Sequence, residues 1–275
     1  MAATLDQIVA ATRRRVSQSR RGADLRELER LAQQHKPRGF RSSLSRAASS
    51  GPAVIAELKK ASPSRGLIRP DFDPRALAAE LVQSGAVALS VLTDQEFFQG
   101  SLENLQTASA ATEVPCLRKD FVLDEFQLLE SLAYRADAIL LIVAALSQRE
   151  LANLARKSVD AGLDVLCEVH DEDELKRALD TGCDLIGVNS RNLKTFQVDW
   201  NTALRLGKMI PKNVVSVAES GIHCGQDIAR LRAEGYHAFL IGESLMKEPG
   251  SGEALRRLLT EARATVLTGL AGNRS

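Results

Sequence analysis

The 275-residue sequence lacks any apolar run close to the roughly 18 residues that a membrane-spanning helix needs. Its formal net charge is only +1, so overall charge points neither to nucleic acid nor to an anionic membrane as a partner. The N-terminal MAATLDQIVAATRRR has no apolar signal-peptide core, and Asp6 argues against an organellar presequence. These absences predict a cytoplasmic protein, and a hydrophobic content of 44% is sufficient for a sizeable core.

Cysteine is scarce as well, and no two cysteines form a C-x-x-C pair. The four are Cys116, Cys167, Cys183 and Cys224. Three of them lie in or beside apolar runs, which predicts buried free thiols in a reducing compartment. The histidines His170, His223 and His237 do not recur at metal-ligand spacing, so no metal is expected.

From residue 52 onward, apolar runs alternate regularly with amphipathic segments. The runs predict strands at 54–58, 86–92, 114–117, 138–143, 163–167, 184–188, 214–218 and 238–241. The segments after them predict helices at 74–84, 102–111, 125–133, 148–161, 172–181, 202–209, 228–234 and 253–267. Eight strands, each followed by a helix, are typical of a (β/α)8 TIM barrel. A doubly wound sheet is the alternative, but its usual glycine-rich turn after the first strand is missing.

Residues 1–50 are polar with a helical pattern, and they predict an extension packed on the barrel and capping one end. Residues 51–275 would form the catalytic barrel, and both parts would make a single domain. The basic cluster Arg13–Arg15 is interpreted as a solvated helix face. The non-enzymatic alternative is a nucleic-acid or partner-binding arm, which would bind in a steeply salt-dependent way. No extra interface element is apparent, so a monomer is expected.

Charged residues lie on one face of the first predicted strand. Glu57 and Lys59 share the face of Ile55, because alternate side chains of a strand point the same way. Two opposite charges on an apolar strand are costly to bury unless they are paired. From this segment alone, a structural ion pair and a functional site remain equal interpretations.

Polar residues recur where the other predicted strands end, and barrel active sites lie at those ends. The converging side chains are Glu57, Lys59, Lys119, Glu168, Asn189 and Glu219. Because they come from five strands, their convergence favours a functional site over isolated structural ion pairs. Close carboxylates and ammoniums shift one another's proton affinity, which suits general acid–base catalysis.

Two glycine-containing turns follow the last two predicted strands, at Ser220-Gly221 and Gly242-Glu243. Backbone N–H groups at these positions commonly bind phosphate in barrels, so the pair predicts a phosphorylated small-molecule substrate. Glu243 is an objection, since its carboxylate must point away from a phosphate. Phe98 and Phe121 lie on loops at the same mouth, where aromatic side chains can flank an apolar ring. Core packing is the alternative for Phe121.

Seven motifs of the chain resemble, in order and at suitable spacing, those of the indole-3-glycerol phosphate synthase family. They are IAELKKASPS, VLTDQEFFQGS, RKDF, EVHDEDEL, IGVNSRNL, VAESGI and FLIGESLM, and they span about residues 54–246. The resemblance implies a TIM-barrel enzyme of tryptophan biosynthesis that uses no cofactor. It would close the ring of 1-(2-carboxyphenylamino)-1-deoxyribulose 5-phosphate with loss of carbon dioxide and water.

The resemblance also implies roles for the matched residues. Lys119 would be the general acid, Glu168 the base of the dehydration, and Lys59 the partner of the substrate carboxylate. Residues lining the substrate would be Glu57, Asn189, Arg191, Glu219 and Ser220, with Phe98 and Phe121 at the anthranilate ring. The phosphate would meet Gly221, Gly242, the backbone of Glu243, and Ser62 on the opposing loop.

Two positions depart from the family pattern. Gln99 stands where some members have glycine, and Glu243 occupies a position that is often small. Loop motion or phosphate affinity would be affected, but no proton-transfer group is removed. A rival enzymatic interpretation is a Schiff-base aldolase or isomerase with Lys119 or Lys59 as nucleophile. Trapping with borohydride and a keto-phosphate would distinguish the two.

Overall fold

The computed structural model describes residues 4–192 and 195–272, and side chains as far as residue 265. Its centre is a closed barrel of eight parallel strands, each beside the next along the chain, with the last closing on the first. The barrel strands are β1 (Ala53–Leu58), β4 (Ala88–Leu92), β5 (Cys116–Lys119), β6 (Ala138–Ile142), β7 (Asp164–Val169), β8 (Leu185–Asn189), β9 (Val215–Glu219) and β10 (Ala238–Ile241). The predicted TIM barrel is confirmed, and every predicted strand boundary lies within two residues of the observed one.

A short hairpin, β2 (Ala61–Ser62) and β3 (Gly66–Leu67), follows β1. The helices after the first three barrel strands are α4 (Pro74–Gln83), α5 (Gln95–Phe98), α6 (Leu102–Ala110) and α7 (Phe126–Ala133). A 3-10 turn at Val143–Ala145 precedes α8 (Gln148–Asp160), followed by α9 (Glu172–Asp180), α10 (Trp200–Gly207), α11 (Gly225–Ala233), α12 (Glu243–Met246) and α13 (Ser251–Gly272). Several begin at side-chain caps that accept backbone N–H groups, as Asp73 does for α4 and Ser147 for α8.

Side chains along each strand point alternately outward and inward, and so they form two apolar layers, one beneath the helices and one inside the barrel. Val54 and Ala56 belong to the outer layer beneath the helices, whereas Ile55 belongs to the barrel interior. Leu117 and Leu166 are interior residues too, two positions before Lys119 and Glu168. The polar residues predicted to face the interior therefore do so, because strand side chains repeat with a period of two.

The N-terminal segment contains α1 (Leu5–Gly22), α2 (Leu25–Gln33) and α3 (Phe40–Ala48). Phe40 and Leu44 of α3 are fully buried against the first residues of the barrel strands and close the N-terminal end. Leu5 and Ile8 of α1 instead reach the pocket at the opposite mouth. The N-terminal segment was expected to cap one end of the barrel only, and this expectation is incomplete. The segment contacts both ends, because α2 packs along α7 on the side of the barrel and connects them.

Two of the four cysteines are joined in a disulfide, Cys167–Cys183, so the expectation of buried free thiols is wrong for this pair. Cys167 lies in β7 and Cys183 in the turn before β8, the neighbouring strand. The barrel therefore brings together two thiols whose spacing in sequence carries no recognisable motif. Cys116 and Cys224 are free. Within the described residues, no helix is both long and apolar enough to cross a membrane.

Candidate active site

One pocket lies at the C-terminal ends of the barrel strands, and every residue predicted for the site lines it. From β1 through α5 these are Glu57, Lys59, Ser62 and Phe98; from β5 through β8 they are Lys119, Phe121, Glu168, Asn189 and Arg191; from β9 onward they are Glu219, Ser220, Gly221, Gly242 and Glu243. Strand ends bring them together because a parallel barrel collects all carboxyl ends on one face. The structure thus confirms their common location, while the role of each stays a proposal.

Lys119, the last residue of β5, lies between two carboxylates. Its Nζ is 2.9 Å from Oε2 of Glu168 and 2.7 Å from Oε2 of Glu219. Burial alone would lower the pKa of Lys119, but attraction to Glu168 and Glu219, with Glu57 adding to it, outweighs burial and raises the pKa. The ammonium is therefore held charged and fixed in direction by its two partners.

Glu168 at the end of β7 has a second partner in His170. Nε2 of His170 is 3.4 Å from Oε1 of Glu168, and Nδ1 is 3.0 Å from Oε2 of Glu174. Burial would raise the pKa of Glu168, but Lys119 and then His170 lower it well below its ordinary value. Burial lowers the pKa of His170, yet Glu168 and Glu174 outweigh this and raise it to about 10. His170 thus supports the carboxylate as a second cation.

Glu219 differs from Glu168 although both contact Lys119. Burial raises the pKa of Glu219 to about 8; Lys119 acts against the rise and the nearby charge of Glu168 adds to it. Its Oε1 atom is buried and has no hydrogen-bond partner among the described residues. Two carboxylates that share one ammonium therefore have opposite proton affinities, an arrangement common where protons are transferred.

On the opposite wall, Lys59 and Glu57 form an ion pair with Nζ and Oε1 2.5 Å apart. Glu57 is buried and Lys59 is partly exposed to the pocket. The ion pair expected from the alternation of β1 is therefore present, and it lies inside the pocket. Because Lys59 reaches the opening, its ammonium is available to an anionic group of a ligand.

The turn after β9 has an unusual backbone. Ser220 and Gly221 both have left-handed φ angles, 68° and 76°. A Cβ at Gly221 would come within 2.6 Å of Cγ1 of Val198 and 2.7 Å of Nε1 of Trp200, so glycine is required there for two reasons. The turn also directs the Ser220 hydroxyl to donate to Oδ1 of Asn189 at 2.9 Å. Strained backbone of this kind is concentrated at functional sites.

Glu243 turns its carboxylate towards three cations at the rim of the pocket. Oε1 is 2.6 Å from Nζ of Lys247 and 3.1 Å from Nε of Arg65, and Oε2 is 3.4 Å from Nη2 of Arg191. Burial would raise the pKa of Glu243, but Lys247, then Arg65 and Arg191, lower it. Arg65 lies in the hairpin loop, so this cluster joins that loop to the glycine turn after β10.

The aromatic wall comes from two loops. Phe98 ends α5, and Phe121 follows β5 and packs partly against the interior apolar cluster. Both interpretations of Phe121 therefore apply, since it packs on the core and also faces the pocket. Gln99, after Phe98, has a left-handed φ of 51°. This conformation explains why glycine is compatible with the position.

An ionic link to α1 was missed from the sequence. Nη2 of Arg15 is 3.0 Å from Oδ1 of Asp120, which is buried beside Lys119 and also accepts from Thr93 and Arg118. Arg13 pairs with Glu150 at 3.0 Å. The interpretation of Arg13–Arg15 as a solvated face is therefore wrong for Arg15, whereas Arg13 stays exposed even in its ion pair. No local signal identifies the pairing, since Arg15 and Asp120 are 105 residues apart.

Within the described ranges, no group of three or more His, Cys, Asp or Glu side chains is arranged to hold a metal ion. His237 and His223 both take part in hydrogen bonds within the protein. His237 contacts the hydroxyl of Ser216 through Nδ1 at 2.8 Å, and the backbone N–H of His223 donates to Asp227 at 2.8 Å.

Similar solved structures share the barrel. Thiamine phosphate pyrophosphorylase from Pyrococcus furiosus has a TM-score of 0.59 and 14% identity, covering 79% of this chain and 98% of that one. KGPDC from Streptococcus mutans has a TM-score of 0.58 and 10% identity, covering 78% and 98%. At these identities the likeness shows the fold alone.

Sequence comparison is more specific. A family model for indole-3-glycerol phosphate synthase matches residues 5–258. A protein of that name from Koribacter versatilis is 58% identical over 94% of this chain and 100% of its own length. Another, from Desulfotalea psychrophila, is 47% identical over 94% of this chain and 99% of its own. These matches span both the N-terminal helices and the barrel. The chain belongs to the indole-3-glycerol phosphate synthase family.

Proposed function

We propose that this protein converts 1-(2-carboxyphenylamino)-1-deoxyribulose 5-phosphate to indole-3-glycerol phosphate, a carboxy-lyase reaction of tryptophan biosynthesis. The observation that carries the proposal is the partly buried Lys119 ammonium, held by Glu168 and Glu219 in the pocket of a chain from this family. A fixed ammonium in a partly dry pocket can stabilise charge that develops on a substrate oxygen.

Ring closure is the first step. The aryl carbon that bears the carboxylate attacks the ketone carbon, and a carbon–carbon bond forms as the carbonyl electron pair moves to oxygen. Lys119 donates a proton to that oxygen, giving a hydroxyl. Its ammonium is held in place by two carboxylates, so the proton donor is positioned before the substrate arrives.

Loss of carbon dioxide and water completes the indole. The carbon–carbon bond to the carboxylate breaks, and its electron pair restores the aromatic ring. The new hydroxyl then takes up a proton supplied by solvent and leaves as water. Glu168 accepts the proton lost by the adjacent methylene carbon, and the electron pair of that C–H bond forms the ring double bond. The lowered pKa keeps Glu168 ionised before the reaction. Its basicity rises once Lys119 has donated its proton, because the Lys119 charge is the main cause of the lowering.

The pocket surface matches the rest of the substrate. Lys59 would bind the carboxylate, with Glu57 as its fixed partner. Asn189, Ser220 and Arg191 would contact the polar chain, and Phe98 and Phe121 would flank the anthranilate ring. The phosphate would meet the backbone at Gly221, Gly242 and Glu243, with Ser62 on the hairpin opposite.

A Schiff-base reaction is the second candidate, since amines on a barrel can attack carbonyl groups. The raised pKa of Lys119 argues against it, because a nucleophilic lysine must lose its proton. Borohydride with a keto-phosphate would settle the choice. Covalent trapping on Lys119 or Lys59 would overturn the acid–base assignment.

The direct test is a fluorescence assay for the indole product, made from the carboxyphenylamino substrate. We expect turnover by the wild type and its abolition in Lys119→Ala, which should remain folded and still bind inorganic phosphate. Lys208→Ala is a suitable control, because Lys208 is an exposed lysine paired with Glu234 on the helical surface. Near-normal turnover by Lys119→Ala would contradict the proposal.

We also propose that the protein is a cytoplasmic monomer whose helical segment and barrel form a single domain. The packing of α1, α2 and α3 on the barrel supports the single domain. Light scattering on the purified protein would give its mass in solution. A single calorimetric transition is expected, whereas two separate transitions would contradict the single-domain assignment.

A further inference from the structure

We infer that Gly187 is a positioning residue for the reaction, because its missing side chain leaves the space in which the Glu219 carboxylate lies beside Lys119. Gly187 is in the middle of β8, at a position that faces the barrel interior between Leu185 and Asn189. Its neighbours across the ladder are Glu168 on one side and Val217 on the other.

A Cβ at position 187 would overlap Oε1 of Glu219 and approach its Cδ to 3.3 Å. The overlap cannot be relieved by a free rotation of the carboxylate. Its other oxygen, Oε2, is 2.7 Å from Nζ of Lys119, and the residue is buried. Displacing Oε1 would therefore turn Oε2 away from the ammonium or move the ammonium itself.

Backbone conformation does not demand this glycine, since Gly187 lacks the positive φ of turn glycines such as Gly221 and Gly182. Strand interiors disfavour glycine, which packs poorly and restricts the chain little. Close approach of the Glu219 carboxylate is thus the physical reason for glycine here. Gly242 has a similar relation to Glu57, whose Oε1 would lie 2.5 Å from a Cβ there. Gly242 is also assigned to phosphate, so Gly187 is the cleaner position to test.

The kinetic test rests on the proposed function and compares Gly187→Ala with the wild type. We expect kcat to fall about 10- to 100-fold, because misplacing a catalytic group by about 1 Å has effects of this size. The KM should change much less, since no group assigned to carboxylate or phosphate binding is touched. The matched control is Gly51→Ala, where a Cβ meets nothing within 4 Å. Unchanged kcat in Gly187→Ala would overturn the inference.

A second substitution that relieves the steric overlap makes the kinetic test more specific. Glu219→Asp shortens the carboxylate by one methylene and makes room for a Cβ at position 187. We expect Glu219→Asp to cost less in the Gly187→Ala background than in the wild type. Independent, multiplicative losses in kcat would contradict a steric link between the two residues.

A thermal-melting cycle tests the same contact without any turnover, so its failure is distinguishable from failure of the proposed function. Gly187→Ala should lower Tm by several degrees in the wild type and by much less in a Glu219→Ala background. Equal shifts in both backgrounds would overturn the inference. Should Gly187→Ala alone fail to fold, the Gly187→Ala/Glu219→Ala variant should fold as Glu219→Ala does. Failure of that double variant as well would also overturn it.

Discussion

The N-terminal end of the barrel surrounds its buried carboxylate with donors, whereas the C-terminal mouth leaves one carboxylate oxygen without a partner. Asp137 accepts from the backbone N–H groups of Arg38 and Cys116, at 2.8 and 2.6 Å, and from the Arg38 guanidinium at 2.6 Å. His35 adds a contact at 3.2 Å. At the mouth, Glu219 shares the Lys119 ammonium with Glu168, and its Oε1 has no partner among the described residues.

The proton affinities follow from this difference. Burial alone would raise the pKa of Asp137, but hydrogen bonds from His35 and Arg38 outweigh it and lower the pKa. Burial instead prevails at Glu219, whose pKa rises to about 8. A carboxylate whose oxygens all accept hydrogen bonds, such as Asp137, stabilises the fold. A carboxylate with one unpaired oxygen, such as Glu219, binds a proton more readily and can take part in proton transfer. Polar residues at the bottom of a barrel generally serve stability and those at the top serve chemistry.

The largest effect of a substitution is expected at the C-terminal mouth. Glu168→Gln should lower kcat by about 10²- to 10⁴-fold, the usual contribution of a general base. Its unfolding free energy should fall by less than in Asp137→Ala, because the amide can still accept a hydrogen bond from Lys119 although it no longer offers charge to Lys119 and His170. Product fluorescence and urea unfolding would measure the two quantities. Activity near the wild-type value would remove Glu168 from the dehydration step.

The reverse pattern is expected at the N-terminal end. Asp137→Ala should lower the unfolding free energy by about 3 kcal/mol, because it leaves buried donors and a guanidinium without their partner. The kcat of the folded fraction should stay within about twofold, since such a change lies far from the mouth. Asp184→Ala, which removes an exposed partner of Arg41, is the control and should cost far less. Equal costs at both positions would refute the comparison.

His170 gives the mouth a pH-dependent contribution to stability. Its pKa is raised from 6.5 to about 10 in the folded protein, so the folded state binds the extra proton between these values. The stabilisation is therefore fully present below about pH 6.5 and is lost as the pH rises towards about 10. Urea unfolding at pH 6, 8 and 9.5 should show a steeper decline in the wild type than in His170→Gln. Parallel pH profiles would contradict the raised pKa.

The smallest effect is expected at the rim. Glu243→Gln removes a negative charge from the cluster of Arg65, Arg191 and Lys247 beside the glycine turn. Inorganic phosphate should then bind a few-fold more tightly, because the three cations lose their internal counter-charge. Calorimetric titration would measure the Kd, with Glu253→Gln, an exposed change on α13, as the control. Weaker phosphate binding would show that the carboxylate instead holds the cations in place.

Local periodicity was sufficient to predict the barrel strands and most of the residues that line the pocket. The period of two along β1 places Glu57 and Lys59 on the interior face, and the same rule places Lys119 and Glu168 there. The positions of the main barrel helices followed from apolar spacing. The motifs could not show that α1 lies across the mouth while α3 closes the other end, because both positions depend on long-range packing.

The side chains that face the pocket could therefore be predicted from the sequence, since direction along a strand is a local property of its backbone. Which of these side chains contact one another depends on the folded barrel. Lys119 binds Glu168 and Glu219, 49 and 100 residues away, and Arg15 reaches Asp120 across 105 residues. The disulfide Cys167–Cys183 also follows from strand neighbourhood. Pairing depends on the stagger and curvature of the closed barrel, and no single strand contains that information.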